Sequence, residues 1–306
     1  MTRDAVLLMA YGTPGSPEEI EPYYTDIRRG KPPPPDLLAD LVRRYGAIGG
    51  TSPLAERTRA QAAGLAAALG QRGGAIPVTI GLKHAAPKIE ESVDELVAGG
   101  VRRIVGLVLA PHYSAASVGE YLARARRRAA ERDPSVEVLG IESWHLEPAY
   151  VEFLAAGVQA GLRELPERTK VLFTAHSLPE RAVAGGDPYP DQLRETAEAV
   201  GDLVGLMPWS TWAVAWQSAG RTPDPWLGPD ILSVLRDLAA TGRADGALVC
   251  PCGFVADHLE VLYDLDIEAR RVAEEVALSF GRTPVLNDDP RVLGALADRV
   301  LALLRA

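Results

Sequence analysis

Cysteine is nearly missing from this chain: its 306 residues include two, Cys250 and Cys252, one residue apart. They cannot make a disulfide framework, and two thiolates fall short of the four ligands of a closed zinc or iron–sulfur site within one chain. Both read as reduced residues at a strand end. Long apolar runs are missing as well. None approaches the ~18 residues of a membrane span, and the apolar stretch that follows Met1-Thr2-Arg3-Asp4 is too short for a signal-peptide core, so a cytoplasmic location is the expectation. Positive charge is in deficit: 32 Lys and Arg against 41 Asp and Glu leave a formal charge of -9. With no basic block interleaved with aromatics, a general nucleic-acid binder is disfavoured, and the cluster Arg124, Arg126, Arg127, Arg128 reads as a solvated helix face. An anionic ligand must therefore be met by local arginines. Neither GxGxxG nor GxxxxGK[ST] occurs, so nucleotide binding has no motif behind it.

What the chain has is alternation. A continuous apolar run at 5–10 predicts a strand covered on both faces. Ser16-Pro17-Glu18-Glu19 then starts a helix that ends near Gly30. Four prolines stiffen residues 32–35, and helices follow at about 36–45 and 53–69. Strands at 78–82, 103–109 and 136–141 are separated by helices beginning at Ser92-Val93-Asp94-Glu95, a capping box, and at Ser117-Val118-Gly119-Glu120. The second half repeats the scheme: helix 147–165, strand 171–175, helix 190–206, strand 211–216, helix 229–241, strand 246–250, helix 256–280. An extended piece at 284–286 and a last helix from Pro290 close the chain. Strands alternating with helices imply parallel sheets. The pattern predicts an α/β protein of two Rossmann-like domains, each a roughly four-stranded parallel sheet flanked by helices. They would span 1–145, with the C-terminal helix 290–306 packed back on it, and 146–289.

Ligands of such folds sit at the carboxyl ends of the strands. There the chain places Tyr11, His84 and His112-Tyr113 in one half, and His176, Gln217-Ser218 and the stretch 253–260 in the other. Two clusters across an interdomain cleft is the natural arrangement. Glu260, Asp264 and Glu268 recur every four residues, so on a helix they form one acidic row, repelling by about 0.2–0.5 kcal/mol per pair. Either the row is a solvated face or it meets a cation. A His at a strand end is a metal ligand, a base or a structural group. Beside Glu260, His176 would make a weak, open site for Fe²⁺, Co²⁺ or Zn²⁺. The loop from Trp216 to Pro229 has an aromatic near each end: a rigid connection, or a wall for a flat ligand. Arg28, Arg44, Tyr45, Ser52 and Tyr113 are each explicable as surface charge, cap or core edge.

Taken together, several stretches resemble ferrochelatases. They are Tyr11-Gly12-Thr13-Pro14, residues 45–54 (YGAIGGTSPL), Pro111-His112-Tyr113-Ser114, His176-Ser177-Leu178-Pro179, Gly186-Asp187-Pro188-Tyr189-Pro190, Trp216-Gln217-Ser218, Pro225-Trp226-Leu227-Gly228-Pro229 and 253–268. They occur in order along essentially the whole chain. The likeness is greatest to the short soluble bacterial type acting on coproporphyrin III, since protoporphyrin enzymes usually have Met where Tyr11 stands. The resemblance implies that His176 and Glu260 bind Fe²⁺ on one face of the macrocycle and help remove its pyrrole protons, while Tyr11 ligates iron from the other face in the product. It implies that Arg28, Arg44, Tyr45, Ser52 and Tyr113 hold propionates. Asp264 and Glu268 would continue outward as a metal or proton route, on a helix locally widened to π geometry. His258, two positions from Glu260, would point elsewhere on a regular helix. Fe²⁺ is then a substrate and no tightly bound cofactor is expected. Some relatives carry a [2Fe–2S] cluster on extra cysteines; none is expected here. The implied partners are the porphyrin, an iron donor and a downstream haem-pathway enzyme, with the protein a monomer. A protoporphyrin IX ferrochelatase, a related cobalt chelatase, and a porphyrin or haem carrier without catalysis are the alternatives. A small-molecule binding protein of the periplasmic type would not need the acidic row.

Overall fold

The computed structural model describes residues 4–73, 76–220 and 222–306; Arg221, inside the 216–229 loop, and the first three residues lie outside the described set. Strand β1 (Asp4–Ala10) is buried along its whole length, as a run with no polar face must be. Helices α1 (Ile20–Ile27), α2 (Pro35–Ala47) and α3 (Leu54–Gln71) lead to β2 (Val78–Leu82). Then α4 (Ile89–Ala98), β3 (Arg103–Val108), α5 (Glu120–Arg132) and β4 (Glu137–Ile141) complete the first half. The second runs through α6 (Pro148–Arg163), β5 (Thr169–His176), α7 (Glu180–Val183), α8 (Tyr189–Val204), β6 (Trp212–Gln217), α9 (Ile231–Thr241) and β7 (Gly246–Cys250). It closes with α10 (Leu259–Leu262), α11 (Arg270–Glu275), β8 (Ser279–Arg282) and α12 (Pro290–Arg305).

The strands form two parallel four-stranded sheets of the same order, β2-β1-β3-β4 and β6-β5-β7-β8. In each the chain leaves the central strand to one side and then crosses to the other. The carboxyl ends of β1 and β5 are therefore topological switch points, where open α/β sheets hold ligands. Tyr11 directly follows β1, and His176 ends β5.

The strand period of two decides which side chains meet which layer. Ala5, Leu7 and Met9 face α4 and α5, packing with Ile89, Val93 and Leu122. Val6 and Leu8 face the other way, into a core that also contains Val171 and Phe173 of β5, Leu65 of α3 and Leu296 of α12. The two sheets thus share buried apolar surface through the helices between them. Helix α12 packs on α3 closely enough that a Cβ on Gly64 would stand 2.5 Å from Leu293. Arg103 ties the end of α12 to the sheet by pairing with Asp4 (2.9 and 3.0 Å) and donating to Leu304 O (2.9 Å).

Four local expectations are corrected. Helix α4 starts at Ile89, not Ser92: Glu91 reaches back to Lys88 N (2.7 Å), and Ser92 is buried, donating to Ile80 O (2.7 Å). The helix leading into α5 is capped by Ser114, whose Oγ accepts from Ala116 N, because residues 115–119 form a π turn ahead of it. The expected helix 256–280 is instead α10, a π turn at Asp264–Ala269, and α11. Its last residues are β8, so the eighth strand is 279–282 and not an extended piece at 284–286. Pairing with β7 outweighs the local helical pattern there: Val249 lies opposite Arg282.

Candidate active site

Three connections past strand ends build the site. Gln217 is the last residue of β6 and lies opposite His176. Its Oε1 accepts from Thr174 Oγ1 (2.8 Å) and its Nε2 donates to Glu260 O (3.0 Å), so the backbone under Glu260 is held from β6. The loop after β7 folds across β5: Gly253 N donates to Thr174 O (2.9 Å), and a Cβ on Gly253 would stand 2.3 Å from that of Ala175. Only glycine permits that approach.

His258 precedes α10 in an extended conformation (φ -157°, ψ -178°). This overturns the expectation that it points away. Its Nε2 lies 3.5 Å from Glu260 Oε2, while His176 Nε2 lies 3.5 Å from Glu260 Oε1, so one carboxylate bridges two imidazoles. Past Glu260 the helix widens, with Glu268 N donating to Tyr263 O (2.9 Å) five residues back. A wider turn keeps side chains four residues apart nearer one line than an α-helix does. Asp264 lies on that line, buried, bonded by Ser218 Oγ (2.5 Å) and paired with Arg44 (3.2 Å). Glu268, half-buried, is the next step outward.

The electrostatics single out the pair. Burial pushes the His176 imidazole down, but the Glu260 charge and contact, helped by Ser177 O, outweigh it and carry the pKa up to about 9. Burial alone would raise Glu260; the charge and contact of His176, with His258 behind, hold it well below the usual carboxylate range. At neutral pH the resting state is imidazolium against carboxylate. Asp264 goes the other way: burial first, then repulsion from Glu260, push it up to about 7 despite Ser218 and Arg44. An imidazole and two carboxyl groups whose pKa values the surroundings push in different directions give the cluster groups that can hold and release protons. Among the described residues no three His, Cys, Asp or Glu side chains converge into a metal cage.

Tyr11, directly after β1, is 42% exposed, its ring 4.6 Å from that of His84, and it lines a cavity with Asp26, Lys83, Lys88 and Glu120. Burial and the Glu260 charge raise its phenol above the ordinary range, and the same carboxylate acts on Tyr23 and Tyr45. Tyr45 is buried, its Oη 3.2 Å from Thr13 Oγ1. Arg44 bridges the halves: besides Asp264 it pairs with Asp40 (2.9 Å) and lies over the Tyr263 ring (5.0 Å). Arg28 caps α1 and lies over Tyr24 (5.9 Å), with its Nε buried and without a hydrogen-bond partner. Ser52 Oγ accepts from Leu54 N (3.3 Å), as its position before Pro53 suggests. Tyr113 is anchored through its N–H to Gln192 (2.7 Å), its hydroxyl over Gly119. His176, Glu260, Asp264 and Arg44 are linked by contact and charge, and the Glu260 charge also reaches Tyr11; Arg28, Ser52 and Tyr113 have their contacts in their own neighbourhoods. Sequence reasoning missed His258. No local signal was available: Asp257 beside it is held by Asn287, thirty residues on, whose Nδ2 donates to its carboxylate (2.8 Å).

Two parallel four-stranded sheets of the same order, flanked by helices, make a chelatase-like fold. The structure of SirB from Bacillus subtilis with Fe³⁺ shares this fold, covering 98% of this chain and 95% of its own at a TM-score of 0.59 and 15% identity. Residues 3–303 match the family described as Ferrochelatase. The coproporphyrin III ferrochelatase of Anoxybacillus flavithermus is 43% identical over 306 residues, covering 98% of this chain and 96% of the relative. That of Bacillus subtilis is 44% identical over 305 residues, covering 98% and 97%. The chain belongs to the ferrochelatase family.

Proposed function

We propose that this protein inserts Fe²⁺ into coproporphyrin III to give Fe-coproporphyrin III, a lyase reaction in which two pyrrole protons leave as the dication enters. The observation that carries the reading is the His176–Glu260 contact at 3.5 Å at the carboxyl end of β5. Neutral imidazole and carboxylate suit Fe²⁺, and two protein donors leave the ion free to pass on to four pyrrole nitrogens. The cycle this implies begins with His176 releasing its extra proton to solvent as Fe²⁺ binds. Glu260 and His176 then take the pyrrole protons, and Asp264, poised near neutral pH, passes them outward with Glu268 along a route that also suits the arriving metal. Tyr11 ligates the iron of the product.

In this reading the N-terminal domain (1–145, with 290–306) grips propionates through Arg28, Arg44, Tyr45, Ser52 and Tyr113, and the C-terminal domain (146–289) holds the metal pair. The unpartnered Nε of Arg28 supports its share, because a guanidinium is suited to bidentate carboxylate binding. Iron is a substrate, and the reading includes neither a tightly bound cofactor nor a [2Fe–2S] cluster. Burial pushes the Cys250 thiol up to about 12 and raises that of Cys252, which favours inert core residues. The protein would act as a cytoplasmic monomer, with an iron donor and a downstream haem-pathway enzyme as partners. Among the described residues no helix is long and apolar enough to cross a membrane.

The test is His176→Ala under anaerobic conditions. Fe²⁺ insertion should fall by at least about a hundredfold, with coproporphyrin III still bound. Insertion at the parent rate would refute the assigned chemistry, and a parent that binds the porphyrin without metallating it would be a carrier.

A further inference from the structure

Strand β5 outruns its neighbour. The ladder to β7 ends at Phe173–Cys250, three residues before His176, while that to β6 continues to His176–Gln217. At this projecting end a side chain holds the backbone: Tyr189 Oη donates to His176 O at 3.1 Å. Tyr189 is buried, its ring 5.7 Å from that of Trp216 and 6.1 Å from that of His112. It opens α8, and its N–H is bonded to Asp187 Oδ1 (3.1 Å). The other carboxylate oxygen crosses to the first half, where Oδ2 accepts from Ser114 Oγ (3.0 Å) and Ala115 N (2.7 Å). One turn along α8, Gln192 accepts from Tyr113 N, and Thr196 Oγ1 lies 2.9 Å from His112 Nε2. Consecutive residues of the loop after β3 thus grip α8, and α8 grips the strand end bearing His176.

We infer that Asp187 and Tyr189 form a positioning relay, fixing the His176 imidazole against the loop that carries Tyr113. The macrocycle edge seated on the first half and the metal-binding side chain of the second are then held at one spacing. The inference rests on the reading that His176 meets Fe²⁺. A carboxylate accepting three N–H and O–H bonds is a stiff junction. The hydroxyl of Tyr189 adds no packing that Phe would lack, yet it sets the peptide plane from which the imidazole projects. Errors of about 1 Å at a reacting group cost on the order of a hundredfold in rate.

Tyr189→Phe keeps the ring and the Asp187 contacts and removes only the bond to His176 O. Its kcat for Fe²⁺ insertion should fall about tenfold, while the coproporphyrin III dissociation constant, read by fluorescence quenching, stays within about twofold of the parent. Asp187→Asn should show the same split. The double variant should lose little more than the worse single one, since groups acting in series are non-additive. A parent kcat in Tyr189→Phe, a loss of porphyrin affinity matching the loss of kcat, or fully additive losses would each overturn the relay. A parent protein unable to insert iron would overturn the proposed function instead.

Discussion

Replacing Asp264 by Asn should make the protein more stable above neutral pH and remove a slope from its pH profile. Asp264 is 5% exposed and lies in the field of Glu260, with Ser218 and Arg44 compensating in part. Its pKa rises from 3.8 to about 7 on folding, through burial first and repulsion second. The sign follows from proton counting. Between these values the folded chain retains a proton that the unfolded chain has released, so this group's contribution is fully present below about pH 4 and is lost as pH rises through 7. The interval corresponds to about 4 kcal/mol, a ceiling because Arg44 and relaxation absorb part of it. Asparagine cannot ionise and retains an acceptor for Ser218. Urea unfolding of parent and variant at about pH 5, 6, 7 and 8 should show a difference growing toward alkaline pH by about 3 kcal/mol at most. A difference constant across that range would refute the argument.

Two further substitutions follow from the same geometry. Glu260→Gln removes the main charge that lifts His176, so its titration by NMR should drop well below about 9, with Ser177 and Asp264 still opposing burial, and insertion should fall by at least about a hundredfold; an imidazole still titrating near 9 would show that Glu260 is not the cause. Gly253→Ala places a methyl 2.3 Å from Ala175 Cβ and 2.6 Å from its Cα, both parts of the strand that ends in His176. Overpacking of that kind costs about 1–3 kcal/mol, so the melting temperature should fall and insertion with it, and a variant melting with the parent would contradict the close approach.

The architecture was largely legible. Runs such as 5–10 and 246–250, with no polar residue to show to water, read directly as buried parallel strands, and each was followed by a helix pattern. Those two facts already place Tyr11 and His176 at strand ends facing a cleft. Local signals failed where tertiary partners decided the outcome. Ser92 has the spacing of a helix cap, yet Ile80 O claims its hydroxyl and the helix begins three residues earlier. Residues 276–280 continue a helical pattern, but β7 offers a free edge and β8 takes it. The π turn leaves acids every four residues just as an α-helix would, so the spacing of Glu260, Asp264 and Glu268 could not reveal it. Arg44 was expected to face propionates only; its pairing with Asp264, 220 residues away, has no local trace. His258 was misjudged for the same reason as the helix start, since its contact with Glu260 depends on an extended residue where a helical one was expected.

The most direct test of the account is anaerobic Fe²⁺ insertion followed by absorbance, with coproporphyrin III and protoporphyrin IX offered in parallel. On the proposed reading the protein should metallate the four-carboxylate porphyrin with a kcat/KM at least about tenfold higher, worth about 1.4 kcal/mol of differential transition-state binding. A preference for protoporphyrin IX, or turnover of neither, would contradict it.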